Sequence, residues 1–318
     1  MTRDDGPEET PRNGDLFVRI QRGIAKLQSM HDGDIAVVEL AACGKGAIPV
    51  LRDFVFRREP SGLYQARCRA VETLAALGAF DVLRDLLGLP LDRPDPVERM
   101  GDEAVVNAAA RTFIGSHDEE VFYLLLDLAR HRHLMGVIEA LGTFQKTEAI
   151  PRLIDALAED CSRPAAETAL LRLGPRARAM LLLQAATRRP SDDNESVSEL
   201  RQRRSALRLL LILGAPQGAW TEIRHLSGNP DIEIAVLTNE LALASAPIEE
   251  RHNAVDNLIA LLPKADWRME TEIETALIEH PEMVNKVIED LSERSANIKQ
   301  RQALRRIKER VRSALSRY

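Results

Sequence analysis

Residues 139–157, EALGTFQKTEAIPRLIDAL, contain a stop and a start. An apolar helical stretch ends in Leu141-Gly142, a polar turn follows, and Ala149-Ile150-Pro151 opens a second apolar stretch. Glycine just past a helix's last turn takes the left-handed conformation without a Cβ penalty and lets the final carbonyls be capped. Proline in a first turn loses nothing by lacking an N–H, because that donor has no intrahelical partner there. The same punctuation recurs along the chain. Glycines at 44, 78, 115, 142, 174 and 214 follow apolar helical stretches at gaps of 34, 37, 27, 32 and 40 residues, a mean of 34. Pro49, Pro151, Pro175, Pro216, Pro247 and Pro281 reopen the chain after such stops. A period of this length marks a helical-repeat architecture.

Between stops and starts lie pairs of amphipathic helices. Ala149–Leu157 is followed by Pro164–Leu173, where Ala165, Ala169, Leu170 and Leu173 fall on one face. A single pair cannot bury its own apolar stripe, so consecutive pairs must stack. The expected fold is all-α, a two-layered solenoid of about eight to nine pairs. Composition agrees with this: 45% of residues are hydrophobic but only 4% aromatic, and leucine and alanine favour helix where aromatic and β-branched residues favour strand.

The stretch AIPRLIDALAEDCSRPAAETALLRLG (149–174) resembles a HEAT repeat of the kind found in phycobilisome lyases: a first helix, Asp in the turn, Arg opening the second helix, small residues, and a terminal Leu-Gly. RCRAVETLAALG (67–78) and GNPDIEIAVLTNELALA (228–244) resemble the second half of such a unit. The resemblance spans residues 30–290 and departs from the pattern at Pro164, which follows the usual Arg, and at Ile234-Ala235, which replace Val-Arg. Units near Gly115 and His280 are degenerate. What it implies is architecture, since HEAT arrays host many functions. It also implies that Arg69 and Arg163, at second-helix starts, bind carbonyls or turn acids between neighbouring units.

Three segments follow. Residues 1–14 read as a disordered acidic tail, 15–293 as the repeat array, and 294–318 as a basic amphipathic helix. Within the array, 88–101 and 187–200 read as long loops, the first because of its three prolines, the second because it is charged and serine-rich. The C-terminal contrast in charge is steep. Residues 229–293 carry 15 acidic and 4 basic side chains, whereas 294–318 carry 9 basic and 1 acidic. Leu304, Ile307, Val311, Ala314 and Leu315 recur at helical spacing, so this helix is expected to cap the acidic last repeat, with a recognition arm as the alternative.

The net charge of −6 argues against a general nucleic-acid binder, although local patches are compatible with it. Cys43, Cys68 and Cys161 are odd in number and widely spaced, which suits neither a disulfide framework nor a zinc site. With no signal-like N-terminus and no apolar run of membrane-spanning length, a soluble cytoplasmic protein is expected. His131 and His133 are two apart and point to different sides of a helix, so they cannot chelate one ion. The acids of HDEE (117–120) suit a helix N-terminus, GKG (44–46) lacks the rest of a phosphate loop, and His252 with Asp256 forms an ordinary i,i+4 pair. No catalytic, cofactor-binding or metal-binding residue is assigned.

The residues best suited to an acidic partner are Arg201, Arg203, Arg204 and Arg208, together with Arg305, Arg306, Lys308 and Arg312 of the tail. The expected function is a non-catalytic protein-binding scaffold that uses a concave surface of second helices, where Glu139, Glu167, Arg172, Arg204, Glu233 and Glu240 mix charge. Two alternatives come from the resemblance. A HEAT-like DNA glycosylase acting on alkylated bases would need a cationic groove with catalytic Asp and Trp, and Trp220 and Trp267 are the only tryptophans. A bilin lyase or isomerase would need an aromatic-lined tetrapyrrole pocket.

Overall fold

The computed structural model describes residues 13–57, 64–132, 134–187, 195–284, 302 and 304–310. Among these, every regular element is helical and there is no strand. No helix among them is long and apolar enough to cross a membrane. The array expected over 15–293 falls into two compact units, Met1–Gln145 and Lys146–Tyr318.

The first unit comprises α1 (Asn13–Lys26), α2 (Gly33–Ala41), α3 (Ile48–Phe56), α4 (Gln65–Ala76), α5 (Phe80–Leu87), α6 (Pro96–Arg111), α7 (Glu119–His131) and α8 (Met135–Thr143). Each odd helix packs on the even helix that follows it, and α2, α4, α6 and α8 pack successively side by side. Helices of this length are marginal alone in water, so their stability comes from the stripe they bury. Leu40, Leu51, Leu74, Leu83, Leu125 and Ile138 are fully buried.

The second unit repeats the scheme with α9 (Ile150–Asp155), α10 (Arg163–Leu173), α11 (Arg178–Ala186), α12 (Val197–Leu213), α13 (Ala219–Ile223), α14 (Ile232–Ser245), α15 (Ile248–Leu261) and α16 (Trp267–Ile278). Here α10, α12, α14 and α16 form the successive layer. A helical stretch at 304–310 buries Leu304 and Ile307, and its Arg306 bonds Glu274 of α16 at 3.0 Å and also Glu270. Arg310 pairs with Glu274 at 3.3 Å. Most of the segment expected to cap the last repeat lies outside the described residues, as do residues 1–12 and 285–293.

The glycine stops at 44, 78, 115, 174 and 214 all have positive φ, between 60° and 80°. Gly142 differs: it lies inside α8, and the left-handed position is Gln145, with φ of 53°. The helix runs on through Thr143, whose hydroxyl donates to the Ala140 carbonyl at 2.7 Å and accepts from Gly115 N at 3.1 Å. Both expected loops are also shorter than their composition suggests. The first ends at Asp95, which caps α6 by accepting from Val97 N and Glu98 N, with Pro96 in the first helical position. The second ends at Ser196, where Ser196 and Glu199 form a reciprocal capping box.

Arginines join one helical pair to the next. Arg69 of α4 donates to the carbonyls of Leu27 and Ser29 at 2.9 and 2.7 Å, and to Asp34 at 2.9 Å. It is 7% exposed, and it passes so close to Gly33 that a Cβ there would lie 1.9 Å from its Nη1. Arg52–Asp85, Arg67–Asp102 and Arg84–Asp118 span 33, 35 and 34 residues respectively. Arg163, by contrast, pairs locally with Asp160.

Asp102 is the most enclosed carboxylate of the first unit, 1% exposed, with Arg67 at 2.9 Å and Arg93 at 3.5 Å. Asp102→Ala should therefore strand the Arg67 guanidinium and destabilise by about 3–5 kcal/mol, whereas Asp34→Ala, which removes a carboxylate with 86% side-chain exposure, should cost less than about 1 kcal/mol. Urea unfolding of the two variants checks this. Deleting residues 296–318 should lower the melting temperature by roughly 4 °C or more even in about 1 M salt, because salt screens the Arg306 and Arg310 pairs but not the burial of Leu304 and Ile307. An unchanged melting curve would exclude the cap.

Candidate functional site

The second unit contains an open groove of about 620 Å³. α12 contributes Leu211 and Ile212, α14 contributes Glu240, Leu243 and Ala244, and α16 contributes Trp267, Arg268, Thr271, Glu272, Thr275 and Ala276, followed by Glu279 and His280. Helical spacing explains the selection: 240, 243 and 244 share a face of α14, as do 268, 272, 275, 276 and 279 along α16 and its end. Asp266 starts α16 by accepting from Met269 N at 2.8 Å, which leaves Trp267 in the first turn. Trp267 is 80% exposed and Ile212 63% exposed, while Leu243 is buried. Two large apolar side chains are thus exposed on an open groove.

The groove's charge follows from what happens to the nearby arginines. Glu233, whose side chain is 15% exposed, accepts from Arg208 at 2.6 Å and Arg268 at 3.2 Å and lies 3.5 Å from Arg204. Arg204 also pairs with Asp231, the N-cap of α14, and this bond holds its guanidinium above the usual arginine range. Glu240 receives no such partner. Its Oε1 is buried with no hydrogen-bond partner among the described residues. Burial pushes its carboxyl up to about 8, the charges of Glu272 and Glu279 push the same way, and Arg208 opposes them. Burial also lowers His280, disfavouring its positive charge.

The arginines proposed from sequence for an acidic partner are placed differently from one another. Arg201 reaches Asp160 at 3.0 Å, and Arg204 and Arg208 are engaged as described. Arg203 is a correction: it is 5% exposed and donates to the carbonyls of Ala185 and Thr187 as well as to Glu195, bracing the α11–α12 turn instead of facing solvent. Arg305 is exposed and Lys308 half-buried, whereas Arg306 is engaged by Glu270 and Glu274; Arg312 and His133 lie outside the described residues. His252 Nδ1 lies 2.8 Å from the Ile248 carbonyl of its own helix. Asp118 caps α7 through Glu120 N and Val121 N. Among the described residues no cluster of His, Cys, Asp or Glu could hold a metal ion, and burial pushes the Cys68 thiol up to about 11, so it stays protonated and unreactive.

Sequence reasoning placed Glu240 among the charges of the second helices without singling it out. The available signal was its position in LTNELALA (237–244), a lone carboxylate in an otherwise uncharged run. Neither a protein-family model nor any curated protein matches the chain.

The folded-state carboxyl of Glu240 titrates above its unfolded value, so wild-type protein loses stability as pH rises from about 5 to 8, relative to Glu240→Gln. The two proteins should be nearly equal at about pH 5, and the variant the more stable by about 1 kcal/mol or more at about pH 8.5. Chemical unfolding across that range measures the difference. A constant difference would mean that Glu240 titrates normally.

Proposed function

We propose that the chain is a HEAT-like helical-repeat scaffold that binds a polypeptide and performs no chemistry of its own. The observation carrying this reading is the groove between α12, α14 and α16, with Trp267 80% exposed beside Ile212 and an apolar floor. Exposed aromatic anchors beside apolar walls are what polypeptide interfaces bury at their centres. A solenoid of stacked pairs would present such a surface on its second helices, and the side-by-side packing of α10, α12, α14 and α16 supports that arrangement.

The groove also weighs against the alternatives. Glu240, Glu272 and Glu279 put carboxylates where a DNA backbone would need cations. Trp220 is 8% exposed and so withdrawn from any extruded base. Among the described residues the groove is lined by one tryptophan and no phenylalanine or tyrosine, too little to sandwich a tetrapyrrole. The patch at Arg204 and Arg208 is occupied by Asp231 and Glu233, which moves the proposed contact surface from those arginines to the groove beside them.

Tagged full-length chain recovered from its native cells should carry a polypeptide in stoichiometric amount, and Trp267→Ala should reduce that polypeptide at least about tenfold while leaving the helical circular dichroism unchanged. Undiminished recovery by the variant would exclude this groove as the binding surface. Release of alkylated bases from methylated DNA by the purified chain would establish the glycosylase reading in its place.

A further inference from the structure

We propose that the groove receives a basic segment of the partner, an arginine or lysine entering between the Trp267 ring and the carboxylates of Glu240, Glu272 and Glu279. This rests on the reading of the chain as a polypeptide-binding scaffold and specifies the chemistry of what it binds. Three observations carry it. The groove is lined by three carboxylates and one arginine, and that arginine, Arg268, is committed to Glu233. Its aromatic wall is exposed, and a tryptophan face attracts a guanidinium or ammonium through its quadrupole. Among the described residues no donor reaches the buried Glu240 Oε1, an acceptor already removed from water that an entering N–H would satisfy. An acidic segment would meet the like charge of Glu272 and Glu279, and a purely apolar one would leave those carboxylates desolvated.

The site predicts its own pH response. The charged and titratable groups facing Glu240 are Arg208 on α12 and Glu272 and Glu279 of α16 and its end; His280 borders the groove and is itself influenced by Arg251 of α15. In the free protein Glu240 carries its proton up to about pH 8. A bound cation favours the carboxylate, so binding releases that proton and tightens as pH rises, by up to about tenfold per unit below the titration and levelling off above it. Any positive charge on His280, which burial disfavours, is lost as pH rises, which favours a bound cation in the same direction.

The tryptophans make the test direct, since Trp267 is exposed and Trp220 buried. Fluorescence titration of the full chain would use a short peptide of leucine and alanine with two arginines, its twin with glutamates in place of the arginines, and spermidine alone. The arginine peptide should change the Trp267 signal and bind at least about tenfold more tightly than the glutamate twin. Its affinity should rise from pH 6 to 8.5 as described, and Glu240→Gln, which mimics the protonated side chain, should weaken binding and flatten the pH response. Equal binding of the two peptides, no binding at millimolar peptide, or an unaltered pH response in Glu240→Gln would overturn the proposal. Spermidine binding as tightly as the arginine peptide would make the groove a polyamine site, and a signal change on concentrating the chain alone would make a second copy its occupant; either result also overturns it. If the native partner is lost on Trp267→Ala while the arginine peptide fails, the scaffold reading stands and the basic-segment assignment falls.

Discussion

A guanidinium reaching from one helical pair to the carbonyl ends or carboxylates of its neighbour is the contact on which the stacking depends. The helices are short, and apolar stripes alone specify contact without specifying register, because Leu and Ala stripes can slide past one another. Arg69 removes that freedom by gripping the carbonyls of Leu27 and Ser29 and the carboxylate of Asp34 together. The grip requires a small residue at 33, where any Cβ would collide with the guanidinium. Arg52, Arg67 and Arg84 repeat it at separations of 33 to 35 residues, close to the 34-residue mean of the glycine stops. Backbone punctuation and side-chain bracing thus obey one period, as expected where each repeat contacts only its neighbours.

Those elements of the fold that depend on local backbone chemistry were legible in the sequence. Glycine after an apolar helix signals a left-handed stop, and it did so at 44, 78, 115, 174 and 214. Gly142 misleads because the signal is local and the decision was not: Thr143 bonds Gly115 N, 28 residues upstream, and the helix extends to meet it. The prolines before α6 and the charges before α12 hid two helix starts for a different reason. Composition was weighed over a whole segment, whereas the capping side chains Asp95 and Ser196 act at a single residue.

The candidate groove was less legible, because its character comes from how charges are shared across helices. Arg201, Arg203, Arg204 and Arg208 read as a basic face when α12 is considered alone. Their acceptors arrive from elsewhere: Asp160 before α10, the carbonyl end of α11, and Asp231 and Glu233 at the start of α14. Helical spacing predicts which residues share a face of one helix, but not which carboxylate a neighbouring helix will set against them. Trp267 shows the converse. Its helical position was readable, yet its exposure follows from where α16 lies against α14.

Glu233 decides the chemistry of the groove without lining it. By accepting from Arg208 and Arg268, it withdraws from Glu240 two cations that could have neutralised it. A buried carboxyl in that position escapes the cost of an unpaired charge by keeping its proton, which is why Glu240 sits near 8 beside two further glutamates. A protonated carboxyl on an open groove retains the means to become an ion pair. Distributing the arginines so that Glu233 is satisfied and Glu240 is not therefore ties α12, α14 and α16 together through Glu233 and leaves a protonated acid on the surface of that layer, so the bracing of the layer and the titration of Glu240 are two outcomes of one allocation of charge.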